Sequence, residues 1–145
     1  MNDVTELALK TLEKGYLMSL ATTDQEGVWV ADVIYIHDDD LNLYWMSRTG
    51  RRHSRAIDGG YPEVAATITV SNKPTDTDQG LQISGTAARL ENPPLDLLKD
   101  WMKKKKKPVT SAIGSVLTDH VWYTLTPERI ELINRDHFRD RQTVR

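Results

Sequence analysis

VWVADVIYIHDDDLNLYWMSRTGRRHSRAI, residues Val28 to Ile57, carries two apolar runs, a polar turn and a basic corner. Val28 to Ile36 is rich in β-branched and aromatic residues and reads as a strand. His37-Asp38-Asp39-Asp40 reads as a turn, and Leu41 to Met46 as a strand returning beside the first. Gly50 to Asp58 then takes up a helical pattern that Gly59-Gly60 ends. Immediately upstream, Tyr16 to Thr23 reads as another strand, joined to Val28 by the turn Asp24-Gln25-Glu26-Gly27. Two short links in succession predict an antiparallel meander.

The same reading extends to both ends. Asp3 to Lys14 sets Val4, Leu7, Ala8 and Leu12 at helical spacing, with Gly15 where a helix would stop. Glu63 to Val70 is a fourth strand, Ser71 to Gln79 a long polar loop, and Gly80 to Leu90 a fifth strand with Gly85 at a bulge or close backbone approach. Leu95 to about Lys105 is helical, and Pro108 breaks it. Thr118 to Thr126 and Arg129 to Ile133 supply one or two last strands, interrupted at Pro127, and residues 134–145 form a polar tail. The sum is a mainly β chain, a small barrel of about six antiparallel strands with a few short helices. Closure into a barrel removes the exposed edges of such a sheet.

At 145 residues, 39% apolar and 28% charged, the chain fits one soluble globular domain. Its net charge of −2 argues against a surface built for nucleic acid, and no apolar run is long enough to span a membrane. Zero cysteines exclude disulfides and thiolate chemistry. The N-terminus carries acids early and lacks an apolar signal core, so the expected location is the cytoplasm.

The corner Ser47-Arg48-Thr49-Gly50-Arg51-Arg52-His53 is the strongest candidate for chemistry. A phosphate dianion needs several convergent donors, which arginine forks and short hydroxyls provide. Backbone N–H groups at the start of the following helix add partial positive charge. The alternative is a solvated basic turn. Lys103 to Lys107, beside Trp101, admits nucleic-acid or anionic-lipid binding, but lysines at a helix C-terminus read first as a solvated, dipole-favoured end. His37 to Asp40 lacks the oxygen spacing and glycine of a calcium loop, so no metal site is expected. No serine elbow or zinc-protease histidine pair appears. Arg135, His137 and Arg139 alternate, which on an extended chain places them on one side, where they would read an anion or belong to a soluble tail.

The segments ADVIYIHDDDLNLYWMSRTGRRHSRAI, YPEVAATITV, QGLQISGTAARLE and VWYTLTPERIEL, in this order, resemble the FMN-binding split-barrel family of pyridoxamine 5′-phosphate oxidase and its shorter relatives. The resemblance covers Tyr16 to Ile133. It implies a homodimer with FMN at the subunit interface. Asp32, Val33 and Ile34 would border the isoalloxazine ring, Met46 and Ser47 would contact the ribityl chain and phosphate, and Arg51, Arg52 and His53 would grip the phosphate. The family's ring-contacting glutamine aligns with Gly80; Gln82, two residues on, faces the same side of a strand. Arg135, His137 and Arg139 resemble the oxidase's substrate-binding Arg-x-His-x-Arg motif, after a shorter preceding segment. The oxidase has arginine at Ala31 and lysine at His53.

These expectations amount to an FMN-binding flavoprotein, an oxidoreductase acting on a small molecule, with catalytic residues unassigned because the flavin carries the chemistry. The alternative on the same barrel is a non-enzymatic heme- or flavin-binding module, with His53, His120 or His137 as axial ligands. A deazaflavin is a further option, since fold does not determine reaction.

Overall fold

The computed structural model describes residues 3–106 and 120–145; Lys107, Pro108 and the start of the last predicted strand at Thr118 lie outside them. In chain order the elements are α1 (Asp3–Lys14), β1 (Leu17–Asp24), β2 (Gly27–His37), β3 (Leu43–Arg48), α2 (Arg52–Asp58), β4 (Glu63–Thr69), β5 (Gln79–Leu90), α3 (Leu95–Lys105), β6 (His120–Asn134) and β7 (Gln142–Thr143). The sheet order is β3-β2-β1-β4-β5-β6-β7, and β3 also pairs with β6. That last pairing closes six antiparallel strands into the expected split barrel.

Alternation along the strands fills the interior. Met18, Leu20, Tyr35, Leu43, Trp45, Tyr123, Leu125 and Leu132 are fully buried. Trp45 and Tyr123 stack across the closing seam at 5.9 Å between centroids and 15° between planes, a contact worth about 0.5–1.5 kcal/mol beyond area burial. Tyr35 also holds the helices. Its hydroxyl donates to the Leu12 carbonyl of α1 at 2.7 Å, and its own carbonyl accepts from Lys104 Nζ of α3 at 2.5 Å. The Lys104 ammonium lies 3.4 Å from the Tyr35 ring centroid. Burial pulls the Lys104 amine down to about 8, while the carbonyl and the ring face favour its charged form.

Two parts of the chain depart from the sequence reading. Pro127 does not interrupt the last strand: β6 runs unbroken through it, paired to Gly85, with the register shift between Ser84 and Gly85. A proline at a bulge loses no ladder bond that its neighbours need. The polar tail is also structured. It forms β7 on the edge of β6, and Phe138 and Val144 pack on the core. One apolar residue per few polar ones is enough to dock a short segment, and that signal is too sparse to read as a strand.

Gly85 makes the close approach anticipated for it. A Cβ there would lie 2.2 Å from the Thr126 carbonyl oxygen and 2.9 Å from Pro127 Cα, both backbone atoms with little room to yield. Gly85→Ala should therefore destabilise the protein by about 1–3 kcal/mol, read as a lower midpoint in denaturant. Unchanged stability would mean that the β5–β6 approach is looser than observed.

Candidate functional site

The end of β3 runs into the corner before α2, and this corner forms one wall of a cleft of about 570 Å³. Leu17 of β1, Asp32, Val33 and Ile34 of β2, Met46, Ser47 and Arg48 of β3, Arg51 and His53 at the corner, Trp101 and Lys105 of α3, and His120 of β6 line it. The β3–β6 register explains why distant residues meet here, since Ser47 pairs with Val121 and Arg48 with His120. On the outer surface, Met46 packs with Ile36, Tyr44, Leu97, Trp101 and Trp122 beneath α3.

The lining combines an apolar part with a cationic one. Among the described residues, Arg48, Arg51 and Lys105 stand against a single lining carboxylate, Asp32, whose Oδ1 accepts from Ser19 Oγ at 2.6 Å. Ser47 and His53 are nearly buried, at 7% exposure each, and Ser47 Oγ lies 2.9 Å from His53 Nε2. Burial, and then the nearby Arg51 guanidinium, push His53 below its ordinary range, so its imidazole is neutral at neutral pH. His120 Nδ1 is buried and finds no hydrogen-bond partner among the described residues. Lys105 Nζ sits 5.0 Å from the Trp101 ring centroid. A volume of this size, mostly apolar with a few convergent donors, is typical of a small-molecule or cofactor site. Another cleft, of about 480 Å³, is lined by Lys14 but also by Asp76 and Asp136, and lacks the cationic excess.

The structure brings together Asp32, Val33, Ile34, Met46, Ser47, Arg51 and His53. Arg52 is not part of that wall. Its Nε and Nη2 donate to the two Asp24 carboxylate oxygens at 3.0 and 3.2 Å, its Nη1 lies 3.8 Å from Glu26, and its guanidinium is 4.6 Å from the Trp29 ring centroid. A bidentate carboxylate and an aromatic face commit it to the β1–β2 hairpin. Gln82 is exposed on the outward face of β5, paired with Thr67 and Glu131, away from the cleft.

Arg135, His137 and Arg139 do not form a row. The segment is a turn, with His137 and Phe138 both donating N–H to the Asn134 carbonyl, so the two-residue periodicity of an extended chain does not apply. Arg135 Nη1 donates to the Arg139 carbonyl. None of the three lines the cleft.

α2 has seven residues, and Arg51 at its N-cap makes no side-chain capping bond. The first N–H groups of α2 are thus not taken up by a capping side chain, and the cleft's side-chain cations stand beside them. The lysine run is not a solvated end: Lys104 is tied to Tyr35 and Lys105 lines the cleft, leaving Lys103 and Lys106 exposed. Arg48, Lys105 and Trp101 were missed as cleft residues. Arg48 sat inside the basic corner and was legible there, whereas nothing local tells that α3 folds over β3.

The fold defines a class: the chain has the split barrel shared by pyridoxamine 5′-phosphate oxidase-like proteins. No family model matches the chain. It is similar to a UPF0306 protein of Cronobacter sakazakii, 23% identical over 126 residues, or 84% of this chain and 87% of that one. A solved Listeria innocua protein, provisionally assigned as a pyridoxamine 5′-phosphate oxidase, superposes with a TM-score of 0.69 at 20% identity, covering 90% of this chain and 98% of that one. A heme-binding protein of Mycobacterium smegmatis superposes with a TM-score of 0.75 at 16% identity, covering 99% of this chain and 58% of that one. Likeness at these identities establishes the fold.

The Arg52–Asp24 pair has a pH signature. The Arg52 hydrogen bonds hold the Asp24 carboxyl below its ordinary value of 3.8. A carboxyl with a depressed folded-state pKa contributes stability above its unfolded value and loses it as pH falls through the folded one. Asp24→Asn should therefore lower the Tm at pH 7 and narrow the gap to wild type at acid pH below about 4. A deficit that persists unchanged into acid would assign Asp24 no ionic role.

Proposed function

We propose that the cleft binds flavin mononucleotide and that the protein is an oxidoreductase acting on a small molecule through flavin redox chemistry. The observation that carries this reading is the convergence of Arg48, Arg51, Ser47 and His53 on one cleft that also presents Leu17, Ile34, Met46 and Trp101. A flavin nucleotide has the same two-part character, an aromatic ring system and a phosphate dianion. When bound, the flavin supplies the hydride- and electron-transfer chemistry. The chain's own residues bind and orient it: guanidinium groups and the Ser47 hydroxyl meet the phosphate, the β2 backbone borders the ring, and Trp101 shields the cleft from water.

A homodimer completes this reading. Val28 is 76% exposed, Val30 61% and Leu17 44%. Val28 and Val30 pair with Thr23 and Ala21, and Ala21 pairs with Ala65, giving an outward strip of small and apolar side chains. Leu17 belongs to both the exposed set and the cleft lining, so a second copy seated on the strip would close the cleft. Val30→Glu should yield a monomer by sedimentation and a weaker FMN site. A variant that stays dimeric with full affinity would remove this interface.

Phosphate recognition is tested by titrating apoprotein with FMN and with riboflavin. Arg51→Ala removes a charge-assisted contact of about 1.5–3 kcal/mol, hence roughly ten- to a hundredfold in FMN affinity, with riboflavin unaffected. Arg52→Ala should act on thermal stability and leave this discrimination intact. Equal losses for both ligands in Arg51→Ala would mean that the cleft does not clamp a phosphate.

Heme is a second reading, carried by His120, a cleft residue whose buried Nδ1 finds no hydrogen-bond partner among the described residues. A Soret band on hemin addition, abolished in His120→Ala, together with failure to bind FMN, would select heme.

A further inference from the structure

Two buried hydroxyls stand behind the His53 imidazole. Ser54 of α2 has no exposure, and Ser47 and His53 have 7% each. Ser54 Oγ donates to Ser47 Oγ at 3.0 Å, and Ser47 Oγ lies 2.9 Å from His53 Nε2. The Ser47 hydroxyl is also 3.4 Å from the Arg48 carbonyl oxygen. Ser54 is sealed from water, so its proton has to be placed within the protein.

We propose that Ser54, acting through Ser47, fixes His53 as the Nδ1–H tautomer, so that the imidazole offers the bound anion an uncharged N–H donor. The proposal rests on the reading that the cleft holds a phosphate. Ser54 does not line the cleft and is a positioning residue.

Proton counting sets the direction. A hydroxyl has one proton to give and two lone pairs to receive. Ser54 directs its proton to Ser47, so Ser47 directs its own elsewhere. Two acceptors are within reach. An O–H···O bond prefers about 2.5–3.0 Å, and the Arg48 carbonyl at 3.4 Å lies beyond that range. His53 Nε2 at 2.9 Å is the nearer, and it takes the Ser47 proton. A ring nitrogen that accepts is unprotonated, and a neutral imidazole carries its single proton on the other one. Burial and the Arg51 guanidinium keep the ring neutral, so that proton resides on Nδ1.

Nδ1 is also the atom left for a ligand. Among the described residues the ring bonds only through Nε2, and the polar atoms sealed without a partner are Thr22 Oγ1, Trp45 Nε1 and His120 Nδ1, not His53 Nδ1. On a residue that lines the cleft, an open, unbonded Nδ1–H serves the space an anion would fill. The opposite tautomer would turn a lone pair toward the anion and repel it. Ser54 thus makes a fixed donor of a ring that could otherwise donate or accept, beside the charges of Arg48, Arg51 and Lys105.

The test reads the His53 ring of ligand-free, 15N-labelled protein by long-range 1H–15N NMR at neutral pH. Wild type should show a protonated Nδ1 and a bare Nε2. Ser54→Ala leaves Ser47 free to accept from the imidazole and donate to the Arg48 carbonyl, so the Nε2–H form should appear. FMN affinity should then fall in proportion to the Nδ1–H fraction that remains, because only that form is competent, with riboflavin binding unchanged. Ser54→Cys, close in volume and a weaker donor, gives the same readout where Ser54→Ala fails to fold. The other charged and titratable groups around the cleft, Asp32, Arg48, Arg51, Lys105 and His120, are the same in all these proteins. A bare Nδ1 in wild type overturns the proposal, as does an unchanged tautomer in the variant. A tautomer shift with no loss of FMN affinity overturns it too. Failure of wild type to bind FMN at all shows in the titration and overturns the phosphate reading, whereas an inverted tautomer shows in the spectrum before any ligand is added.

Discussion

Pairing of β3 with β6 is the contact on which the cleft depends. An open six-stranded meander would leave the end of β3 at a free edge, with Ser47 and Arg48 in water. Closing the seam buries Trp45 against Tyr123 and sets Arg48 opposite His120. One set of ladder bonds thus removes two sheet edges, completes the core and assembles the walls of a site from opposite ends of the chain. Gly85 serves the same closure at a distance, since the bulge opposite Pro127 lets β5 and β6 bend around the barrel.

Adjacent arginines at the corner have separate fates, and local geometry separates them. Arg51 occupies the N-cap position of α2 and lines the cleft. Arg52, one residue later on a helix that rotates each side chain by about 100°, meets Asp24 and Trp29 instead. The hairpin tip and the corner are thereby locked together by one guanidinium, while its neighbour stays available for an anion. A basic cluster in one dimension becomes a structural clamp and a binding group in three.

Cationic residues of α3 divide in a similar way. Lys104 anchors the helix on Tyr35, whose hydroxyl also engages α1, and Lys105 beside Trp101 completes the cleft. The anchored lysine sets the position of the lining one. This arrangement gives the helix a role in the site that its amphipathic pattern and its charge do not disclose.

Much was legible in the sequence because it is local. Strand alternation and turn composition gave the meander; helix periodicity gave α1 and α3; Gly85 marked a close approach; the basic corner held Ser47, Arg51 and His53, and the resemblance to the split-barrel family added Asp32, Val33, Ile34 and Met46, all seven of which line one cleft. The tertiary structure alone decided that Arg52 turns to Asp24, that residues 135–138 fold into a turn, that Pro127 sits at a bulge, and that Tyr123 of β6 reaches Asp58 at the end of α2. The physical reason is range. Propensity and periodicity act over a few residues, whereas ion pairs, cation–π contacts and hydrogen-bond chains form between groups that only barrel closure brings within a few ångströms.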